Sequence, residues 1–293
     1  MIKRAHGPVW VIYRGFVVLL SILPLPLARL LMAGVFRLLG PFISGANERM
    51  ERSLKVAFPF RDREWRKARR YRTWSNLGRS VAESVKTRAV QRSLDTAVSA
   101  RMEPELSAMR DDPRGWLLLL GHLGAWEVVI QLAPRFGRPV MGIFRPLANP
   151  LIERDLQKSR ALAGVEMVST EDPLLVRRAL RHLRAGGMLA LFVDQRWGEG
   201  EALELFEQPA LCTLSPGLFQ MMGEARVSTL LCRRIGSDRC EVVLESLPFK
   251  TSDEGDDWRE RGQSIMRSYN RRLEDFVKVY PDDWYWMQDR WKP

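Results

Sequence analysis

His122 and Glu127 stand in the stretch LLLLGHLGAWEVVI, residues 117–130, where a run of leucines ends in an imidazole and a carboxylate follows five positions later. An imidazole with one nitrogen fixed by a carboxylate is a general base, able to take the proton of a hydroxyl or a water through the other nitrogen. On an α-helix, positions i and i+5 lie about 140° apart, so the pair can cooperate only if the chain turns between them. Gly124 is the residue that permits the turn. This reading puts His122 at the carboxyl end of a buried strand and Glu127 in the first turn of the next helix, at the edge where open α/β sheets form ligand crevices. The same turn offers the backbone N–H groups of Leu123 and Gly124 to an oxyanion. The alternative is a histidine that caps a helix beside an unrelated glutamate.

No serine competes as a nucleophile. Ser169 and Ser215 lack the Gly-x-Ser-x-Gly frame, so the base is expected to activate a hydroxyl on a substrate. Asp194 ends the apolar run LALFVDQ and is a second carboxylate for His122, either as its orienting partner or as a loop anchor; motif position favours Glu127. Gln195, beside it, is a candidate substrate contact, as is Gly124. Arg145 follows a strand and precedes Pro146, where a guanidinium would hold a phosphate by paired hydrogen bonds or bridge to a helix end. Asn149, before Pro150, reads first as a helix cap, and Arg160, one helix further on, either joins the phosphate site or faces solvent. The three cysteines, at 212, 232 and 240, and the three histidines, at 6, 122 and 182, lack metal-ligand spacing. No metal, cofactor or disulfide framework is expected.

Such a constellation needs a sheet to carry it. From residue 113 the chain alternates short apolar runs with helical patterns: GWLLLLG, a helix over about 125–135, PVMGIF, a helix over 149–164, VEMVS, a helix from Asp172 to Gly187, and MLALFVDQ. Pro, Gly and Asp bound these runs as βαβ units require. VSTLLCRRI and CEVVLESLPF read as a hairpin turning through Gly236–Asp238, and Trp258–Tyr280 as a long amphipathic helix. The expected fold is α/β, a mixed central sheet flanked by helices in one domain over 46–293.

Residues 1–45 form a separate anchor in this reading. Residues 9–40 are apolar but broken by Arg14, Pro24, Pro26, Arg29 and Arg37, with no cleavage site and no clean run of about 20 residues. Basic residues flank both ends, which predicts a bent helical hairpin lying in one leaflet, with a single tilted span or a buried helix pair as alternatives. The following basic stretch, 61–86, carries Trp65 at helical spacing and suits a phospholipid surface. The net charge of +11 calls for an anionic partner. No nucleic-acid-reading motif is present, and the basic stretch adjoins the apolar anchor, so nucleic acid is excluded in favour of lipid.

Beyond the HLGAWE stretch, five further stretches appear in order. These are ERSLKVAFP (51–59), GIFRPLANPLIERDL (142–156), LALFVDQ (189–195), LFEQPALCT (205–213) and PDDWYWMQDRWKP (281–293). Together they resemble the lipid A biosynthesis (lauroyl/myristoyl) acyltransferase family. The resemblance implies a glycerophosphate-acyltransferase-like fold and a membrane enzyme at the cytoplasmic face of the bacterial inner membrane. It would move a fatty acyl chain from acyl carrier protein (or acyl-CoA) to a hydroxyl of a glycolipid such as a lipid A precursor. Ala125 stands where the family often has Asn, Glu207 replaces its Gly, and DQRWGEGEALEL is an unusual loop; these departures bear on the choice of acceptor. A thioester or lipid hydrolase using the same dyad, with water as acceptor, is the competing enzyme class.

Overall fold

The computed structural model describes residues 6–97, 102–195, 200–236, 239–251 and 257–291. The leucine run forms β1 (Trp116–Leu120), buried along its whole length because the strand lies inside a sheet covered on both faces. Its companions are β2 (Val140–Phe144), β3 (Val165–Ser169), β4 (Met188–Phe192), β7 (Arg226–Ile235) and β8 (Arg239–Ser246). The order across the sheet is β3-β2-β4-β1-β7-β8, parallel except for β8. Side chains alternate between two cores. Leu117, Leu119, Leu189 and Leu191 pack on one face, against α9 (Leu175–Arg184), α10 (Ser215–Gly223) and α11 (Trp258–Val279). Leu118, Leu120, Met188 and Val140 pack on the other, against α5 (Thr87–Ala97), α6 (Glu103–Asp111) and α7 (Trp126–Ile130).

The alternation expected from the sequence is therefore present, with three local corrections. The helix over 125–135 is two pieces, α7 and a 3₁₀ turn at Ala133–Phe136, because Pro134 has no N–H with which to continue the α-ladder. The helix expected from Asp172 begins at Leu175; the Asp172 carboxylate instead accepts the Leu174 N–H at 2.8 Å and closes a turn ahead of it. A two-stranded hairpin, β5 (Glu201–Leu205) and β6 (Gln208–Cys212), occupies a stretch read only as a loop and a turn. Its turn holds Phe206 and Glu207 at φ 52° and 59°, the left-handed pair that tight hairpins favour, so Glu207 sits where a glycine would be unstrained. β7 and β8 pair antiparallel as expected, closing at Ile235 and Arg239; residues 237–238 of their turn and 196–199 of the loop after β4 lie outside the described residues.

The N-terminal helices α1 (His6–Ile22) and α2 (Leu25–Leu39) meet at the bend before Pro24, and both rest on α4 (Arg63–Val85). α1 also leans on α8 (Pro150–Leu162), with Trp10 Nε1 donating to Asp155 at 3.0 Å. α2 buries Leu25, Ala28, Met32 and Ala33 and, among them, Arg29. That guanidinium lies 2.9 Å from Glu83 of α4, a carboxylate with no exposed side-chain surface. Glu83 also receives both ends of Arg234 of β7, at 2.6 and 2.7 Å. A buried charge cluster thus joins the segment expected as an anchor to α4 and to β7 of the sheet.

α4 comes close to the backbone of α2 at Gly78, where an added Cβ would stand 2.2 Å from the backbone oxygen of Met32. An isolated helix would gain about 1 kcal/mol from Gly78→Ala, whereas overpacking costs roughly 1–3 kcal/mol. Gly78→Ala is expected to lower the melting temperature in thermal unfolding; a raised one would mean that α2 is not seated there.

Candidate active site

β1 and β4 are parallel neighbours with Leu120 opposite Phe192, so two residues beyond each strand the register brings His122 beside Asp194. His122 Nδ1 lies 2.8 Å from Asp194 Oδ1, and the His122 backbone N–H donates to Oδ2 at 2.8 Å. The Trp284 indole donates to Oδ2 at 3.0 Å, and Arg290 donates to the Asp194 carbonyl at 2.7 Å. Burial alone would push the Asp194 carboxyl up. The charge of His122, with the hydrogen bonds from its ring, its backbone and Trp284, holds it below its ordinary value instead. An ionised Asp194 accepts the proton on Nδ1, which leaves Nε2 as the basic nitrogen. Gln195 stands over the ring with Nε2 3.2 Å from each ring nitrogen, and Phe192 and Trp126 wall it at centroid distances of 4.5 and 5.6 Å.

The carboxylate in contact with His122 Nδ1 is that of Asp194, the second of the two candidates, and not that of Glu127. Glu127 lines the cavity, within reach of the charges of Arg160, Glu83 and His122. Burial pushes its carboxyl up; Arg160 pulls it down, Glu83 adds to the rise, and His122 pulls it down again. The amides expected to hold an oxyanion are also engaged elsewhere. The Leu123 N–H donates to the Gly121 carbonyl at 2.8 Å, and the Gly124 N–H to the Asp283 carbonyl at 2.6 Å. Gly124 has φ +49°, and a Cβ there would come within 2.6 Å of the Cys232 oxygen, so the turn and its close approach to β7 both need glycine.

A cavity of about 690 Å³ opens at His122 and runs between the sheet and α7. Leu118, Val129, Phe136, Val140, Met167 and Ala190 make its depth apolar, while Arg145, Arg160, Glu127 and Gln195 stand on its lining as polar groups. Asn149 does the other work foreseen for it: its side chain accepts the Leu151 N–H at 3.1 Å and caps α8.

The part of the site that residue chemistry did not single out is the C-terminal segment. Tyr285 donates its N–H to the His122 carbonyl at 3.1 Å, and with the Gly124–Asp283 bond this forms a short antiparallel bridge between catalytic turn and tail. The signal was the cluster of tryptophans and charges in PDDWYWMQDRW, noticed as a landmark and not as the clamp of a carboxylate.

Asp283 accepts the Arg234 N–H at 3.1 Å, yet burial raises its carboxyl to about 6, against the pull of that bond and of the Arg234 charge. A carboxyl whose folded value is raised costs no stability below its unfolded value near 4. The cost grows as the unfolded state ionises first and is complete above about 6. Asp283→Asn should thus raise stability by on the order of 1–2 kcal/mol at pH 8, allowing for partial exposure, and by nothing at pH 4. A melting-temperature gain that is equal at both pH values would contradict this.

A family profile described as bacterial lipid A biosynthesis acyltransferase matches residues 2–293, the whole length of the described site and sheet. No curated protein matches the chain. The chain belongs to the bacterial lipid A biosynthesis acyltransferase family and is an enzyme that transfers an acyl group to a lipid A-type glycolipid.

Proposed function

We propose that His122, oriented by Asp194, is the general base of an O-acyl transfer from the thioester of acyl carrier protein to a glycolipid hydroxyl at the cytoplasmic face of the inner membrane. The observation that carries the reading is the 2.8 Å contact of His122 Nδ1 with a buried carboxylate at the mouth of an apolar cavity. Nε2 takes the hydroxyl proton as the oxygen attacks the thioester carbonyl carbon. The tetrahedral intermediate collapses with cleavage of the C–S bond, and the leaving sulfur takes the proton from the imidazolium. The Gln195 amide is the side-chain donor beside the developing oxyanion. The acyl chain lies in the cavity over Leu118 and Ala190, and Arg145 and Arg160 meet anionic groups of the substrates. Glu127, with its raised carboxyl beside Arg160, positions the acceptor without contributing to the base itself.

α1 and α2 would lie in the membrane plane. Leu27, Leu30 and Leu38 on the outer side of α2 are 52%, 67% and 70% exposed, while the opposite side is held to α4 by Arg29 and Met32. By length and composition Leu25–Phe42 could cross a bilayer, but crossing would carry the charged helix α4 in with it. The basic residues of α4 divide between two tasks: Arg66 pairs with Glu51 and Arg69 with Asp282 in its packed part, whereas Arg63 and Lys67, the latter 3.6 Å from Glu64, are exposed and available to a phospholipid surface.

Transfer from a labelled acyl thioester to lipid extract tests the reaction. His122→Ala should cost about 10²–10⁴-fold. Asp194→Asn should cost nearly as much, because its amide N–H₂ would oppose the N–H groups of His122 or Trp284, while Glu127→Gln is milder. A Glu127→Gln defect exceeding that of Asp194→Asn would return the orienting role to Glu127, and release of free acid independent of lipid would make the enzyme a hydrolase. For the membrane, Leu27→Glu with Leu30→Glu should reduce binding to anionic vesicles at least severalfold without lowering the melting temperature. Full retention on vesicles would rule out the in-plane arrangement.

A further inference from the structure

α9 carries its charge in a pattern that folding does not require. Its inner side, Ala179, Leu180 and Leu183, is buried in the core, and Arg177, Arg181 and Arg184 line its outer side at i, i+4 and i+7. Arg178, between them, is neutralised by Glu166 and Asp172 at 2.6 and 2.7 Å. Among the described residues, by contrast, the side chains of Arg177 and Arg181 have neither an ion pair nor a hydrogen bond. Arg177 also sits in the first turn, where the helix dipole disfavours a cation. The three arginines border a shallow groove floored by Pro173, Val176 and Leu180, with no acidic side chain in its lining. Val176 lines both this groove and the cavity at His122, so the two adjoin at that side chain.

From this we infer that the groove on α9 is the docking surface for the acyl donor, an acidic carrier protein whose thioester arm passes over Val176 into the cavity. The inference rests on the donor reading above and gives it a location. The competing occupant of a basic, partly apolar surface is a lipid headgroup layer. α9 packs on the sheet face opposite that covered by α7, whereas the exposed leucines belong to α2 and its partner α1, which leans on α8. A glycolipid held at the anchor and a soluble carrier at α9 therefore approach His122 from different sides. Rim charges of this kind act chiefly on encounter and its salt dependence, not on chemistry at the base.

The test uses the full chain in detergent with Arg177→Glu and Arg181→Glu combined, both exposed and distant from the buried cluster. With acyl carrier protein thioester as donor, KM should rise about tenfold or more while kcat at saturation stays within twofold, and the salt dependence of KM should flatten. With the same acyl chain on coenzyme A, which presents no protein surface, KM should change less than twofold. An unchanged carrier KM in the variant, with the wild type active on carrier, overturns the docking surface alone. A wild type that accepts the coenzyme A thioester and ignores the carrier overturns the donor reading and the docking surface together. Loss of anionic-vesicle binding in the variant, with carrier KM unmoved, assigns the strip to lipid instead.

Discussion

The site depends on one buried carboxylate. Asp194 is 2% exposed and would be costly to ionise in an apolar interior, so its charge persists only because donors surround it. The donors come from two distant parts of the chain: the ring and backbone N–H of His122 from beyond the end of β1, and the indole of Trp284 from the tail. The tail in turn is aligned by its bridge to His122 and Gly124 and by Arg290 on the Asp194 carbonyl. Satisfying that charge fixes the tautomer of His122, the turn that follows it and the course of the last residues together. Removal of one donor would leave a buried charge short of partners, which costs more than the net worth of any single bond.

This explains why the fold was legible in the sequence and the dyad only half so. The alternation of apolar runs with helical periods is local, and it gave β1 to β4, β7, β8 and α11 near their observed limits. The places where it erred are places where a single residue decides: Pro134 dividing a helix, Asp172 closing a turn ahead of one. The hairpin β5–β6 escaped because its turn, Phe206–Glu207, lacks the Gly or Asn that ordinarily marks left-handed backbone. His122 was visible because an imidazole ending a leucine run has no packing reason. Asp194 stood only as the second candidate, since it reaches His122 through the order β2-β4-β1, a long-range pairing that no local pattern encodes. Proximity in sequence favoured Glu127, whereas parallel register favours the residue at the matching depth of the neighbouring strand.

The apolar N-terminus shows the same distinction between composition and context. Hydropathy describes Leu25–Phe42 as long enough to cross a bilayer. The pattern of burial describes a helix with two different sides, one matched to α4 and one left as leucines. Only the second description accounts for Arg29, a cation that would be an error in a span and is a fitted part here.

Arg29, Glu83 and Arg234 form an ion cluster with two cations on one carboxylate, and burial of such a set gives little net stability against apolar residues of the same volume. Its value lies in what it aligns. Glu83 sets the position of α2 along α4 through Arg29, and through Arg234 it sets β7. Arg234 then passes its backbone N–H to Asp283, whose carbonyl receives the Gly124 N–H of the catalytic turn. An unbroken series of hydrogen bonds therefore runs from α2 to the turn that carries His122 and Gly124. A shift of α2 along α4 could not be absorbed by side-chain motion at Arg29, which is 5% exposed and confined between Ala28 and Met32. It would have to move Glu83, or leave it with a single partner in a medium where the remaining charge is poorly screened. The N-terminal helices are consequently joined through hydrogen bonds to the turn that carries His122, and a displacement of α2 along α4 is felt at that turn.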